Sequence, residues 1–403
     1  MSRFRTLDDL CEDYRDSEAL VLVRADLNVP LDENGNVRDA TRLSRLLPTL
    51  HRLTEAKFRV GVLSHFARPE GKRNPEMSLR PIANALDKMI DVSVNFAADC
   101  IGEPRTTALA KTPAGGVCVL ENTRFYLGEE ANDMGFATDL AKGAVAYVND
   151  AFSVAHRAHA SVEAITHILP AYCGAAMQAE LTALDAALTN PKKPVVALVG
   201  GAKISTKITI LENLSKRVDT LIIGGAMANT FLAAQGFSVG TSLYEKDMLG
   251  IAKKVLANAP CEILLPSDVV IADALLGAET AGQETRIVSA QAVPDDKMIL
   301  DVGTKSVEAI GQIFANAATL IWNGPLGAFE TPPFDETTNL AAQKAADLTK
   351  QGNLTSIAGG GDTVAALNHA GVSDDFTYIS TAGGAFLEWL EGKTLPGIAA
   401  LEK

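Results

Sequence analysis

The chain has 403 residues, more than one hydrophobic core usually organises, which predicts two domains. Hydrophobic residues account for 47% and charged residues for 21%, as in an ordinary globular protein, and no apolar run is long enough for a membrane span. A net charge of −13 argues against general nucleic-acid binding, and the mixed charges of residues 1–12 do not resemble a secretion signal. The five cysteines are scattered and never spaced as C-x-x-C, which excludes a disulfide framework and favours a reducing cytoplasm.

The basic residues are distributed unevenly along the chain. Fifteen of the seventeen arginines precede residue 172, whereas fourteen of the nineteen lysines follow it. Arginine presents a rigid fork to phosphate and carboxylate groups, and lysine acts as a compact point charge. Two interpretations are open: compositional drift, or a first half that binds a small anion.

Short apolar runs alternate with Ala/Leu-rich stretches along the whole chain. Continuous apolar strands that alternate with helices are typical of parallel sheets covered on both faces, so we predict an α/β fold. The predicted strands are residues 19–24, 59–64, 117–121, 144–149, 194–199, 220–224, 262–266, 319–323, 355–358 and 377–380. In such sheets ligands bind beyond the carboxyl ends of the strands.

The middle of the chain predicts a domain boundary. Residues 175–188 form a continuous helical pattern, which ends at Asn190 and Pro191. We expect this segment to be a stiff helix that joins two α/β domains of similar size.

In the first half, cationic and hydrogen-bonding residues follow the predicted strands. Asp26 and Asn28 are two residues apart and face the same side of an extended backbone. A single arginine after a strand is most often part of a surface salt bridge, and a single histidine is most often structural. Several at one edge of a sheet would instead surround a small, multiply charged anion. The candidate cations are Arg42, His65, Arg68, Arg124 and Arg157.

Glycine-rich segments follow the strands of the second half. In GGAKISTK the glycines permit close backbone approach, and we expect Lys203 and Lys207 on one helix face. The segment binds phosphate or is a tight packing turn. Asp362 in GGGDT caps a helix or holds Mg²⁺, which takes few protein carboxylates. Glu330 ends the segment WNGPLGAFE, which hydrogen-bonds a ribose or is a simple turn.

Eight segments together resemble one enzyme family. RADLNVP, SHFARP, ENTRF, NDAFSVAHRAHAS, GGAKISTKI, GGAMANTFL, WNGPLGAFE and GGGDTVAAL resemble phosphoglycerate kinase segments in that family's order. The resemblance implies two Rossmann-like domains with parallel sheets that face each other across a cleft and are joined by a helix. It also implies that the C-terminal helix returns to the first domain. The expected domains are 1–172 with 388–403, the connecting helix 173–190, and 191–387.

The family's functional residues have counterparts here. The resemblance implies 3-phosphoglycerate binding by Asp26, Asn28, Arg42, His65, Arg68, Arg124 and Arg157. It implies nucleotide binding by Lys203, Lys207, Asn323, Glu330, Gly360, Gly361, Asp362 and Thr363. Arg42, Lys203 and Lys207 are the expected catalytic residues, and Asp362 is the expected Mg²⁺ ligand. The implied reaction is 1,3-bisphosphoglycerate + ADP ⇌ 3-phosphoglycerate + ATP, in a cytoplasmic monomer without nucleic-acid or membrane partners.

Three segments depart from the usual pattern of the family, and two other function classes fit the sequence less well. Ser153 and Val154 replace a Gly-Thr pair, SHFARP replaces SHLGRP, and Ala382 replaces a glycine. The alternative enzymes are another α/β transferase or a dehydrogenase, and a dehydrogenase would carry a GxGxxG segment with a downstream acid, which the sequence lacks. A periplasmic-type binding protein would need a secretion signal and would not use Lys203, Lys207 and Asp362.

Overall fold

The computed structural model describes residues 4–275 and 284–402. The chain divides into two compact units, Met1–Leu181 with Thr394–Lys403, and Thr182–Lys393. Within the described ranges, no helix has both the length and the apolar character that a bilayer crossing requires.

The first unit is built on a six-stranded parallel sheet in the order β3-β4-β2-β1-β5-β6. Its elements up to the unit boundary are α1 (Leu7–Asp13), β1 (Leu20–Arg24), α2 (Thr41–Glu55), β2 (Arg59–Leu63), α3 (Arg80–Asp87), β3 (Val94–Ala97), α4 (Gly102–Lys111), β4 (Val117–Leu120), α5 (Leu127–Glu130), α6 (Met134–Ala141), β5 (Ala146–Asn149), β6 (Ala171–Cys173) and α7 (Ala175–Leu184).

Both faces of this sheet are buried, which explains the unbroken apolar runs in its strands. Val21 and Val23 pack into one hydrophobic cluster, whereas Leu22 between them packs into a second cluster. Successive side chains of a strand point to opposite faces, so one strand supplies both cores.

The second unit contains a six-stranded parallel sheet in the order β15-β14-β13-β7-β8-β9 and a three-stranded antiparallel sheet in the order β11-β10-β12. Its elements are β7 (Val195–Val199), α8 (Ile208–Leu214), β8 (Thr220–Ile223), α9 (Gly225–Ala234), α10 (Leu249–Asn258), β9 (Glu262–Leu264), β10 (Asp268–Ala272), β11 (Arg286–Ser289), β12 (Met298–Val302), α11 (Thr304–Asn316), β13 (Thr319–Asn323), α12 (Glu336–Lys350), β14 (Thr355–Gly359), α13 (Gly361–His369), β15 (Tyr378–Ser380) and α14 (Gly383–Leu390).

The C-terminal segment packs against the first unit. Helix α15 (Pro396–Ala399) brings the Gly397 N–H within 2.8 Å of the Ala155 carbonyl oxygen. A Cβ added at Gly397 would lie 2.7 Å from the Val162 side chain, so only glycine fits this close contact. A bridge between Phe4 and Glu402 ties both ends of the described chain to this unit.

The α/β fold with two parallel sheets is confirmed. All ten predicted strands are present, with ends within two residues of the prediction. The predicted helix 175–188 corresponds to α7 followed by a π-helical turn, Asp185–Thr189. Five strands were not predicted: β3, β6 and the three of the antiparallel sheet.

Ala67, in the loop after β2, has a backbone conformation that suits glycine. Its φ is +52°, in the left-handed region. The loop is fixed there because the Ala67 N–H donates to Asn28 Oδ1 at 2.9 Å and its carbonyl accepts from Arg124 Nη1 at 2.9 Å. Ala382, the other alanine at a usual glycine position, has φ −94° and carries no such strain.

We predict that Ala67→Gly stabilises the protein by about 0.5–1 kcal/mol. The left-handed conformation costs an L-residue roughly 1–2 kcal/mol, and the extra entropy of glycine in the unfolded chain offsets part of that gain. Urea unfolding of the full chain measures the change. Ala131→Gly is the control, because exposed Ala131 has φ −78° and should gain nothing. Equal stabilisation by both variants would contradict the strain at Ala67.

Candidate active site

The candidate residues of the first unit follow four adjacent strands, β4, β2, β1 and β5. Because parallel strands end at the same edge of the sheet, the loops after them meet there. We call the predicted set the anion site; it comprises Asp26, Asn28, Arg42, His65, Arg68, Arg124 and Arg157.

Asp26 is held on both carboxylate oxygens. Oδ1 accepts from Arg42 Nη1 at 2.9 Å and from the Asn28 N–H at 3.1 Å, and Oδ2 lies 2.8 Å from Arg42 Nη1. Ser153 Oγ donates to Oδ2 at 2.5 Å. Arg42 Nη1 also donates to the Asn28 carbonyl at 2.8 Å. The carboxylate therefore has a fixed orientation, and Arg42 is paired within the first unit.

Several arginine side chains lie around His65. Its ring is buried, and Arg24 Nη2 lies 3.1 Å from Nδ1. Burial, followed by the charges of Arg24, Arg124 and Arg42, holds the pKa of His65 well below its usual value. Burial lowers the pKa of Arg124, whereas its ion pair with Glu130, at 3.1 Å, raises it. This concentration of positive charge suits a multiply charged anion.

The predicted residues of the anion site differ in how closely they contact one another. Arg157 is half-buried, donates to His156 Nε2 at 3.3 Å, and contributes its charge at Arg124. Arg68 is exposed on the loop that carries His65. Arg24 and Ser153 contact this set but were not among the predicted site residues. Both lie inside motifs that the sequence singled out, so the motif positions were the available signal.

In the second unit, glycines allow two loops to pack backbone against backbone. A Cβ at Gly200, after β7, would lie 1.9 Å from the Pro325 carbonyl oxygen of the loop after β13. Gly324 has φ +108°, and a Cβ there would meet the Gly200 carbonyl oxygen at 2.4 Å. The close approach that the sequence predicted for the GGAK segment is therefore a contact with the WNGP loop.

Lys207 lies within a network of side-chain and backbone oxygens. Its ammonium group donates to Asn323 Oδ1 and lies 3.4 Å from the Asn323 carbonyl oxygen. Burial lowers the pKa of Lys207 to about 8, and the charge of Asp362 opposes that shift. A half-buried cation with few anionic partners is well suited to a phosphate ligand.

The prediction that Lys203 and Lys207 share a helix face is wrong. A 3₁₀ turn, Ile204–Thr206, separates them, and α8 begins only at Ile208. Ser205 donates to Glu245 through its N–H at 3.0 Å and its hydroxyl at 2.6 Å, which holds the turn. Lys203 is exposed and Lys207 half-buried, so the two lysines present their charges differently.

Asn323 and Thr363 hold the glycine-rich turn after β14. Asn323 Nδ2 donates to the Gly359 carbonyl at 2.6 Å, and Thr363 Oγ1 donates to the same carbonyl at 2.9 Å. Thr363 Oγ1 also accepts from the Gly324 N–H at 2.7 Å. Gly360 has φ +99° directly before α13, and Gly361 begins that helix. The backbone N–H groups of a helix start are suited to phosphate.

A cavity of about 310 Å³ opens beside these turns. Its apolar wall is suited to a flat ring system, and polar groups lie at its edges. The edges include Gly201, Asp362 and Glu330, and the wall includes Leu243, Met298, Leu300, Leu326 and Phe329.

Asp301, which also lines the cavity, positions one of its walls. Its carboxylate accepts from Thr337 Oγ1 and from the Val302 N–H at 2.8 Å. A Cβ at Gly327 would lie 2.2 Å from Oδ1, so the loop of Glu330 passes directly over this group. Burial raises the pKa of Asp301 to about 7, although the hydrogen bonds from Thr337 act in the opposite direction. Sequence patterns gave no signal for this residue.

Comparisons with known proteins agree with the resemblance. The family model described as phosphoglycerate kinase matches residues 11–393. The phosphoglycerate kinase of Rhizobium meliloti (strain 1021) is 56% identical over 403 residues, 99% of this chain and 99% of that protein. The structure of phosphoglycerate kinase from Coxiella burnetii is similar with a TM-score of 0.87 and 41% identity, covering 95% of this chain and 96% of that one. The enzyme from Pyrococcus horikoshii OT3 gives a TM-score of 0.79 at 27% identity, over 99% and 98% of the two chains. This chain belongs to the phosphoglycerate kinase family, phosphotransferases that act on a carboxyl group.

Proposed function

We propose that the anion site binds 3-phosphoglycerate and that the glycine-rich site of the second unit binds ATP or ADP with Mg²⁺. The main support for this proposal is that the cationic side chains and the glycine-rich turns lie in different units. Arginines surround His65 in one unit, whereas glycine turns, a half-buried lysine and an apolar cavity lie in the other. The unit that contains the C-terminal segment is then the 3-phosphoglycerate domain.

In the first unit, Arg68, Arg124, Arg157 and His65 bind the phosphate and carboxylate of the acid. Asp26 and Asn28 bind its hydroxyl group. The fixed Asp26 carboxylate supports this role, because Arg42 and Ser153 prevent it from rotating. Charged hydrogen bonds of this kind supply both affinity and orientation.

In the second unit, the N–H groups at Gly360 and Gly361 and the turn held by Thr363 and Asn323 surround the phosphates. Lys203 and Lys207 neutralise phosphate charge, and Glu330 at the edge of the cavity binds the ribose. Asp362 is exposed in the first turn of α13 and lines the cavity, so its carboxylate is available to hold Mg²⁺. Mg²⁺ prefers few protein carboxylates, and no cluster of three or more acidic, His or Cys ligands occurs in residues 4–275 and 284–402. When bound, Mg²⁺ neutralises part of the phosphate charge.

Transfer is direct. An oxygen of the ADP β-phosphate attacks the acyl phosphate of 1,3-bisphosphoglycerate, the bond from phosphorus to the acyl oxygen breaks, and the carboxylate of 3-phosphoglycerate leaves. The attacking and leaving groups are already anionic, so no general base is required, and positioning with charge neutralisation supplies the rate. Arg42, Lys203 and Lys207 stabilise the transferring group. Because the two sites belong to different units, we propose that the units close before transfer.

We propose that the chain acts as a cytoplasmic monomer on these small molecules, without nucleic-acid or membrane partners. Each candidate site consists of residues of a single unit, and all five cysteines are free, as expected in a reducing compartment.

A coupled assay of the full chain tests the proposal. With 3-phosphoglycerate, ATP and Mg²⁺, we expect ADP formation that depends on all three. ADP formation that is independent of 3-phosphoglycerate would contradict the proposed function.

We predict that Arg157→Ala raises the KM for 3-phosphoglycerate roughly 10- to 100-fold and leaves the KM for ATP nearly unchanged. A charged hydrogen bond contributes roughly 1.5–3 kcal/mol, and Arg157 belongs to the anion site alone. Arg217→Ala, which removes an exposed arginine of the other unit, is the control and should change neither constant. Equal effects of Arg157→Ala on both substrates would reject the assignment of the two sites.

We predict that Asp362→Asn lowers turnover at least about tenfold and raises the Mg²⁺ concentration needed for half-maximal rate, because the amide is a poor ligand for a hard cation. The melting temperature should remain nearly unchanged. Glu336→Gln is the matched control, since Glu336 is an exposed acid in the first turn of another helix of the same unit. If both variants lost only stability, Asp362 would be an ordinary helix-terminal acid.

We predict that Arg42→Met lowers kcat by orders of magnitude while calorimetric binding of 3-phosphoglycerate changes much less. A contact that is stronger in the transition state than in the ground state lowers the barrier with little effect on affinity. Arg42→Lys keeps the charge without the fork and should fall between wild type and Arg42→Met. Near-normal turnover with severely weakened binding would assign Arg42 to substrate binding only.

A further inference from the structure

Two opposite charges lie fully buried behind the anion site, and the proposed reaction uses neither. Arg24 ends β1 and Glu129 lies in α5, and both side chains are 0% exposed. Burying charges is costly unless hydrogen bonds satisfy them, so their retention calls for an explanation.

Ser161 links the two charges. Arg24 Nε donates to Ser161 Oγ at 2.8 Å, and Ser161 Oγ donates to Glu129 Oε1 at 2.5 Å. The Ser161 N–H donates to Glu129 Oε2 at 3.0 Å. A guanidinium group can only donate, so the single hydroxyl proton must point to the carboxylate. The direction of every hydrogen bond in this relay is therefore determined.

The other end of the relay reaches His65. Arg24 Nη1 donates to the Ala25 carbonyl, and Nη2 lies 3.1 Å from His65 Nδ1. Because Arg24 cannot accept a hydrogen bond, Nδ1 must be the acceptor and carry no proton. The proton of the neutral ring is then on Nε2, the remaining polar atom of the side chain.

The groups around His65 also decide its charge. The charged or titratable groups that act on it are Arg24, Arg124, Arg42 and His159, and together with burial they lower the pKa of His65. His159 has a lowered pKa of about 4, chiefly through burial, and its Nδ1 lies 4.0 Å from Glu129 Oε1. Both rings are therefore neutral at pH 7.

We propose that the relay Arg24–Ser161–Glu129 is a positioning device that fixes His65 as the neutral Nε2–H tautomer, a hydrogen-bond donor rather than a cation toward the acid substrate. The proposal rests on the proposed function of the anion site. The arginines, which do not titrate, then supply the positive charge that attracts the acid. His65 supplies a hydrogen bond of fixed direction to it.

Nitrogen-15 NMR of the histidine rings in the full chain tests the tautomer without any substrate. We expect wild-type His65, assigned by its loss in His65→Asn, to show a protonated Nε2 and an unprotonated Nδ1 from pH 5.5 to 8. An Nδ1–H tautomer, or titration of His65 within this range, would overturn the proposal.

Variants of Ser161 test the relay itself. Ser161→Ala removes the bridging hydroxyl, so we expect mixed tautomers of His65 and a KM for 3-phosphoglycerate raised roughly 3- to 10-fold, the effect of a neutral hydrogen bond. The KM should become dependent on pH, while the KM for ATP stays constant. Ser161→Thr keeps the hydroxyl and should restore both properties. If Ser161→Ala folded and left the tautomer and the pH profile unchanged, the relay would have no such role.

Glu129→Gln provides a second variant if Ser161→Ala does not fold. It removes the charge that orients the Ser161 hydroxyl, and we expect the same change of tautomer. Calorimetry with 3-phosphoglycerate separates this proposal from the proposed function. Failure of the wild-type chain to bind the acid would reject the function, whereas the ring nitrogen spectra report on the relay alone.

Discussion

Both candidate sites depend on one constraint of parallel sheets: neighbouring strands all end at the same edge. In the first unit the adjacent strands β4, β2, β1 and β5 deliver four loops to that edge, and in the second unit β14, β13, β7 and β8 do the same. Residues far apart in the chain, such as Asn28 and Arg124, therefore meet on the backbone of Ala67. Antiparallel neighbours would carry alternate loops to opposite edges and could not assemble either set.

Two titratable side chains of the second unit, Lys207 after β7 and Asp301 in β12, are held at a cost in solvation. Burial lowers the pKa of Lys207 to about 8 and raises that of Asp301 to about 7, so both ionised forms are disfavoured where the side chains lie. Each has nearby hydrogen-bonding partners, Asn323 for Lys207 and Thr337 for Asp301. A phosphate ligand beside Lys207 would favour its charged form, which couples binding to the local electrostatics.

The fold was largely predictable because burial on both faces leaves a continuous apolar run. This pattern is clear in β7, where all five residues are buried, and weak in β3, where only Ala97 is. Of the antiparallel strands, β11 has no buried residue, so hydrophobicity did not mark it. Strands β10 and β12 are largely buried, but each contains an aspartate, Asp268 or Asp301, which shortens the apolar run. The motifs located the site residues, but the 3₁₀ turn between Lys203 and Lys207 depends on the contact of Ser205 with Glu245, 40 residues away. A sequence pattern carries no information on such long-range hydrogen bonds.

The buried relay shows why motif positions alone were insufficient. Arg24 and Ser161 both lie in recognised motifs, yet neither was among the predicted site residues, because an arginine at a strand end is ordinarily an exposed residue. The buried opposite charge that Arg24 reaches through Ser161 is Glu129, which lies outside those motifs. Serine is the smallest side chain that can accept from a guanidinium and donate to a carboxylate at the same time. The chemistry at position 161 is thus determined by its two charged neighbours, and through Arg24 it reaches the ring of His65.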